Sequence, residues 1–289
     1  MGDLVLPDGG PRPGEPGPAR VVAVVPLRDG SSGKSRLAHA LDPASRSRLI
    51  GVLARHVVGT LLASDGVERV VVVTSDPRFT WRALRDVVVD ESADAAHAGS
   101  DDLPLLTADA DRLRIVLQPA DRPGLDAAVE LGRELAAEGA AARGPVRLLV
   151  AHADLPALTT ADVAALLAED APVVVATDRV GAGTNLLVLD SPASAPSSTT
   201  LLSGSGAERQ KPRARPDDGA RGEGFRFQFG TGSRAAHVAE AERLGLRAVV
   251  VQRPGTAVDL DTLDDWGELP PPVRAAVGLH VPALRDHDT

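Results

Sequence analysis

The chain has 289 residues, of which 43% are hydrophobic, and a formal net charge of −9. That length can bury a full core, and one domain with appendages is expected. The acidic balance, with four Phe, two Trp and no Tyr, excludes a basic surface with interleaved aromatics for nucleic acid; the lack of cysteine excludes disulfides, thiolate metal sites and cysteine nucleophiles.

Residues 1–19 are rich in Pro and Gly, and a disordered tail is expected there. They lack the apolar centre of a signal peptide, and no later apolar run reaches the length of a membrane span. A cytoplasmic protein with no membrane or nucleic-acid partner is expected.

Val21–Val25 predicts a short, fully apolar strand. A loop follows from Pro26 to Gly33, with a helix starting near Lys34 or after Pro43. Residues 44–63 carry helical spacing through Leu49, Val52, Leu53, Val57 and Leu61. Strands are predicted at Val70–Val73 and Val87–Val89, then an acidic stretch over 90–111 without periodicity. A strand at Leu113–Leu117 and a helix at Leu125–Ala137 follow. Arg147–Ala151 is a strand leading into Asp154, and Thr159 or Thr160 caps a helix through Ala168. Pro172–Ala176 and Leu186–Leu189 are strands. Residues 191–224 are of low complexity and read as a mobile insertion. Ser233–Leu244 predicts a helix capped by Ser233, and Ala248–Val251 a strand; the tail 270–289 forms a short helix or stays loose. Continuously apolar strands alternating with helices indicate an α/β sheet covered on both faces, within one domain over 20–269.

Several segments carry candidate chemistry. The loop Arg28-Asp29-Gly30-Ser31-Ser32-Gly33-Lys34-Ser35-Arg36 invites comparison with a phosphate-binding P-loop, but Arg28 stands where that motif needs glycine. Lys34 and Arg36 can still meet phosphates; a solvated loop is the plainer alternative. Lys34 is one of only two lysines in the chain, the other being Lys211. Asp154 follows a buried strand, where α/β sheets bind their ligands, and a carboxylate there can hold a divalent cation. A second Asp-Leu-Pro, at 102–104, lies in polar sequence and is read as coincidence. Gly181-Ala182-Gly183-Thr184-Asn185 offers small residues and hydrogen-bonding side chains before a strand. Gly230-Thr231-Gly232-Ser233 opens a helix and suits an anion, whereas His237, one turn in, reads as a packed histidine. Asp259 and Asp261, alternate residues of an extended segment, can face one cation. Pro123-Gly124-Leu125-Asp126 begins a helix that can pack on a nucleotide base.

In order and spacing over residues 20–268, these segments resemble the guanylyltransferase family of coenzyme F-420 biosynthesis (FbiD/CofC). The resemblance rests on Lys34-Ser35-Arg36-Leu37, Pro123 to Ala128, Ala153 to Leu158, Gly183-Thr184-Asn185, Gly232-Ser233 with His237, and Asp259 to Thr262. It implies a Rossmann-like, GT-A-like nucleotidyltransferase fold with a mostly parallel sheet. It implies transfer of GMP from GTP to phosphoenolpyruvate, or alternatively 2-phospho-L-lactate, with release of pyrophosphate. By position, Mg²⁺ would be held by Asp154 with one or both of Asp259 and Asp261, and Lys34, Asp154 and Asp261 would carry catalysis. Thr184, Gly230 and Ser233 would bind the acceptor, Arg36 the phosphates, and Gly124 and Asp126 would lie near guanine. A transient contact with the downstream transferase that consumes the product is a further implication. Competing readings are a P-loop GTP-binding protein or kinase, a sugar-phosphate or molybdenum-cofactor nucleotidyltransferase, whose Arg-Met-Gly loop is missing here, and a non-catalytic binder.

Overall fold

A computed structural model describes residues 20–28, 34–88, 109–138, 144–190 and 224–287. The tail 1–19, the loop residues 29–33, the 102–104 tripeptide and nearly all of the 191–224 segment lie outside the described residues.

Seven strands form one sheet: β1 (Arg20–Leu27), β2 (Val67–Thr74), β3 (Leu113–Leu117), β4 (Val146–Ala151), β5 (Val173–Thr177), β6 (Thr184–Asp190) and β7 (Ala248–Val251). Their spatial order is β3-β2-β1-β4-β6-β5-β7. All neighbouring pairs are parallel except those made by β6, which runs antiparallel between β4 and β5. The central strands are apolar throughout because both faces are covered, and Val22 to Val25 of β1 have no exposed surface.

One face of the sheet packs on α1 (Pro43–Leu62), α2 (Pro77–Val88) and α4 (Thr160–Leu167); the other packs on α3 (Leu125–Ala137) and α5 (Ser233–Arg243). Helix α3 lies so close to β1 that a Cβ on Gly132 would sit 2.3 Å from a Val24 methyl. A third apolar cluster joins the start of α1 to α7 (Leu263–Glu268), α8 (Pro271–His280) and a closing 3₁₀ turn, through Leu49, Val258, Leu260, Trp266, Val277 and Leu284. Residues 271–287 are therefore helical and contribute to the core. A short helix, α6 (Pro254–Ala257), precedes the acidic segment.

Two local expectations are corrected. Val87 and Val88 belong to helix α2, not to a strand, and Val89 lies outside the described residues. Phe79, Ala83, Leu84 and Val88 recur at helical spacing on the buried side, and Asp76 caps the helix by accepting from Phe79 N at 2.9 Å. The valine pair looked like a strand only in isolation from that pattern. At α5 the cap position is Gly232, in the left-handed region at φ 75°, and not Ser233. Ser233 is the first helical residue, and its hydroxyl is engaged across the sheet edge instead.

Candidate active site

Strands β1 and β4 are adjacent and parallel, and the chain departs from them in opposite directions across the sheet. The crevice beyond their carboxyl ends is where open α/β sheets bind ligands. A cleft of about 670 Å³ opens there, lined by Arg28, Lys34 and Arg36 after β1, His152 and Asp154 after β4, Gly183 to Asn185 at the start of β6, Gly230 to Ser233 before α5, and Asp259 and Asp261.

Lys34 is the centre of this cleft. Its ammonium donates to Asp154 Oδ2 at 2.6 Å and to Asp261 Oδ1 at 2.7 Å, joining residues 120 and 227 positions away. It is the only described non-glycine residue with positive φ, at 56°. For a lysine that conformation is strained, and strain of this kind gathers at functional sites. The Lys34 side chain is only 7% exposed. Burial alone would lower its pKa, but Asp154 and Asp261 outweigh burial and hold it above the usual lysine value. Burial likewise works to raise the Asp154 pKa, and the charges of Lys34 and His152 overcome it, so the carboxyl stays below its usual range. Asp259 moves the other way: burial raises its pKa, and the like charges of Asp154 and Asp261 raise it further.

The two acidic segments are pinned together by the backbone. Leu260 N donates to Asp154 O at 3.0 Å, and the Leu260 side chain is fully buried in the third cluster. Asp261 N bonds Asp259 O at 3.0 Å, so the segment tightens into a γ-type turn instead of staying extended. Asp265 fixes its far end, accepting from Asp261 N and from Thr262 in a capping box. Asp154 Oδ1 is buried without a hydrogen-bond partner. Among the described residues, no three His, Cys, Asp or Glu side chains form a ready-made metal cluster; an ammonium stands between two of the three aspartates.

The opposite wall is built of donors. Thr184 N donates to Ser233 Oγ at 2.8 Å, and Thr184 Oγ1 lies 3.0 Å from His237 Nδ1. The Asp178 carboxylate accepts from Ala182 N and Gly183 N, which shapes the turn from β5 into β6. Thr184 and Asn185 are thus strand residues and not loop residues. Gly230 and Gly232 both have positive φ, 116° and 75°, which lets this turn present its backbone to the cleft. Arg36 is exposed at the rim. Gly124 opens α3, while Asp126 accepts from Phe229 N at 2.8 Å and so fixes the 224–232 segment; Leu125, between them, is the member of that turn that lines the cleft.

One further cleft residue, His152, was not singled out from sequence. His152 stacks obliquely on Phe229, with centroids 5.4 Å apart, and its Nε2 is buried without a partner. Its place two residues before Asp154 was the available signal. Asn185 Nδ2 donates to Thr256 O at 2.9 Å and approaches Asp259 Oδ1 at 3.4 Å. His237 was read as a packed histidine, and it is fully buried, but it also touches Thr184 of the cleft wall.

The architecture has a known counterpart. A protein of Desulfovibrio desulfuricans G20, provisionally assigned as a nucleotide-diphospho-sugar transferase, superposes with a TM-score of 0.57 over 94% of this chain and 99% of that one, at 13% identity. The likeness is one of fold: a mostly parallel α/β sheet, here with a cleft beyond the carboxyl ends of its central strands. No protein-family model matches the chain. Curated relatives do. A phosphoenolpyruvate guanylyltransferase of Rubrobacter xylanophilus is 33% identical over 252 residues, 86% of this chain and 93% of that protein. Another, of Sphaerobacter thermophilus, is 30% identical over 250 residues, 86% and 91% of the two chains. The chain belongs to the phosphoenolpyruvate guanylyltransferase family.

Proposed function

We propose that this protein transfers the guanylyl group of GTP to phosphoenolpyruvate. An acceptor phosphate oxygen attacks the α-phosphorus of GTP. The new P–O bond forms as the bond to the β-phosphate oxygen breaks, and pyrophosphate leaves with that electron pair. The acceptor is anionic at neutral pH, so no strong general base is needed; the task is to gather negative charges in line.

The observation that carries this reading is the Lys34 bridge between Asp154 and Asp261, facing a wall of hydroxyl and backbone donors across one cleft. Thr184, Gly230 and Ser233 on that wall suit the phosphate and carboxylate of the acceptor. Lys34, Arg28 and Arg36 suit the triphosphate. Guanine falls to the side of Leu125, where Gly124 and Asp126 set the backbone of the turn.

The aspartates also suit magnesium. Asp154 leaves one buried oxygen without a partner, and Asp154 and Asp261 share a single ammonium while the charge of Asp259, close enough for its like neighbours to raise its pKa, is not met by it. A set of carboxylates completed by phosphate oxygens and water is what Mg²⁺ prefers. Asp154 and Asp261 would hold it, since they converge; Asp259, beside Asn185, would support them. When bound, the ion supplies neutralisation of phosphate charge.

The test is purified protein with GTP, Mg²⁺ and each acceptor in turn, reading pyrophosphate. Release with phosphoenolpyruvate is expected. Release only with 2-phospho-L-lactate would reassign the acceptor, and GTP hydrolysis without any acceptor would refute the reading. Adding the downstream transferase should draw the reaction forward, as a transient product hand-over requires.

A further inference from the structure

Buried in α5, His237 has both ring nitrogens committed. Gln228 N lies 3.1 Å from Nε2 and donates to it. A backbone N–H cannot accept, so Nε2 must carry a lone pair. The ring proton of the neutral imidazole is then on Nδ1, 3.0 Å from Thr184 Oγ1. Nδ1–H therefore donates and the threonine hydroxyl accepts. A cationic ring would turn a second N–H against that of Gln228. Burial opposes the charged form as well: it lowers the His237 pKa to about 4, aided by the facing His152 and opposed by Glu240.

A hydroxyl has one hydrogen to give. On Thr184 the histidine occupies the accepting side, so that hydrogen is left over. The same holds for Ser233, whose Oγ accepts from Thr184 N at 2.8 Å. Among the described residues neither hydroxyl donates to a protein acceptor, and both residues line the cleft. Two adjacent hydroxyls whose protein partners are all donors match a ligand whose oxygens only accept, such as a phosphate or a carboxylate.

We propose that His237 is a positioning residue: as the Nδ1–H tautomer it holds the Thr184 hydroxyl as a hydrogen-bond donor to an anionic oxygen of the phosphorylated acceptor. This rests on the acceptor lying against the Thr184–Ser233 wall. His237 does not touch the reacting atoms, and it neither gains nor loses a proton in the reaction. Its role is to remove the alternative in which the threonine points its hydrogen back into the protein.

The experiment is steady-state kinetics of the whole chain with GTP and phosphoenolpyruvate for Thr184→Val, His237→Phe, His237→Asn and the Thr184→Val/His237→Phe pair. A hydrogen bond to a charged group corresponds to about a tenfold to hundredfold change. His237→Phe should raise the phosphoenolpyruvate KM by about that factor and leave the GTP KM unchanged. His237→Asn, which keeps a donor near Thr184, should recover most of the loss. In the Thr184→Val background His237→Phe should add nothing. Independent, additive effects, or an equal rise in the GTP KM, would overturn the role of His237 while leaving the acceptor wall in place. An unchanged acceptor KM in Thr184→Val would overturn the wall assignment and the inference with it. A further readout needs no substitution: ¹⁵N shifts of His237 in the unaltered protein should report the Nδ1–H tautomer from about pH 5 to 8, and the Nε2–H form would overturn the proposal.

Discussion

Replacing Lys34 by Met removes the one ammonium that Asp154 and Asp261 share. The side chain is 7% exposed and its Asp154 partner 25%, so this half of the bridge behaves as a buried pair. Removing one member of such a pair costs about 3–5 kcal/mol, because the remaining charge is left buried. The Asp261 side chain is 40% exposed, so that half is screened by solvent. It adds less than about 1 kcal/mol. A destabilisation of about 3–5 kcal/mol at neutral pH is expected, nearly all of it from the Asp154 half. Its pH dependence follows from Asp154, whose folded pKa is depressed, with burial opposing and Lys34 prevailing. A depressed carboxyl pKa contributes stability above the unfolded value, and this is lost as pH falls through the folded value. The penalty of Lys34→Met should therefore be largest near pH 7 and shrink below about pH 4, where the aspartates take up protons. The elevated lysine pKa acts only in the alkaline range, outside this window. Urea unfolding at both pH values, in the presence of a chelator, reads the difference directly. A loss of equal size at both, or no loss at pH 7, would refute the view that Lys34 holds the aspartates together.

Asp154→Asn should leave the fold intact, because the amide oxygen can still accept from Lys34. It should lower kcat by about a thousandfold or more if the proposed metal ligand is lost with it; a near wild-type rate with native circular dichroism would dismiss the assignment. Chelating divalent ions should stop pyrophosphate release, and Mg²⁺ should restore it; turnover that persists in excess chelator would exclude a metal requirement. Gly132→Ala places a methyl 2.3 Å from Val24 Cγ1 and should destabilise the chain by about 1–3 kcal/mol. Thermal melts of this variant and of Gly132→Ala/Val24→Ala should show partial recovery in the second; no difference from wild type in the first would mean that α3 and β1 are less tightly packed than the structure has them.

Local periodicity carried much of the fold. The apolar runs of β1, β2, β4 and β5 are strands because both sheet faces need burial, and helix α3 spans Leu125–Ala137 as its spacing predicts. Asp154 could be singled out because its strand context is itself local. Helix α2 escaped notice because Val87 and Val88, taken alone, look like strand residues; the deciding partners, Phe79 and Ala83, lie a turn or two upstream. The cap of α5 was misplaced by one residue because Ser233 has a stronger use elsewhere, accepting from Thr184.

The sequence by itself determined which segments must be buried, and hence the α/β class and the acidic and small-residue turns at the strand ends. It could not decide which of those turns meet. Strand order did that. Insertion of β6 antiparallel between β4 and β5 brings Thr184 alongside the end of β4, while the third cluster buries Leu260 and carries Asp261 to Lys34. Hydrophobic pattern is a property of neighbours along the chain. The Lys34–Asp154–Asp261 bridge joins residues 120 and 227 positions apart, and only the packed sheet sets that distance.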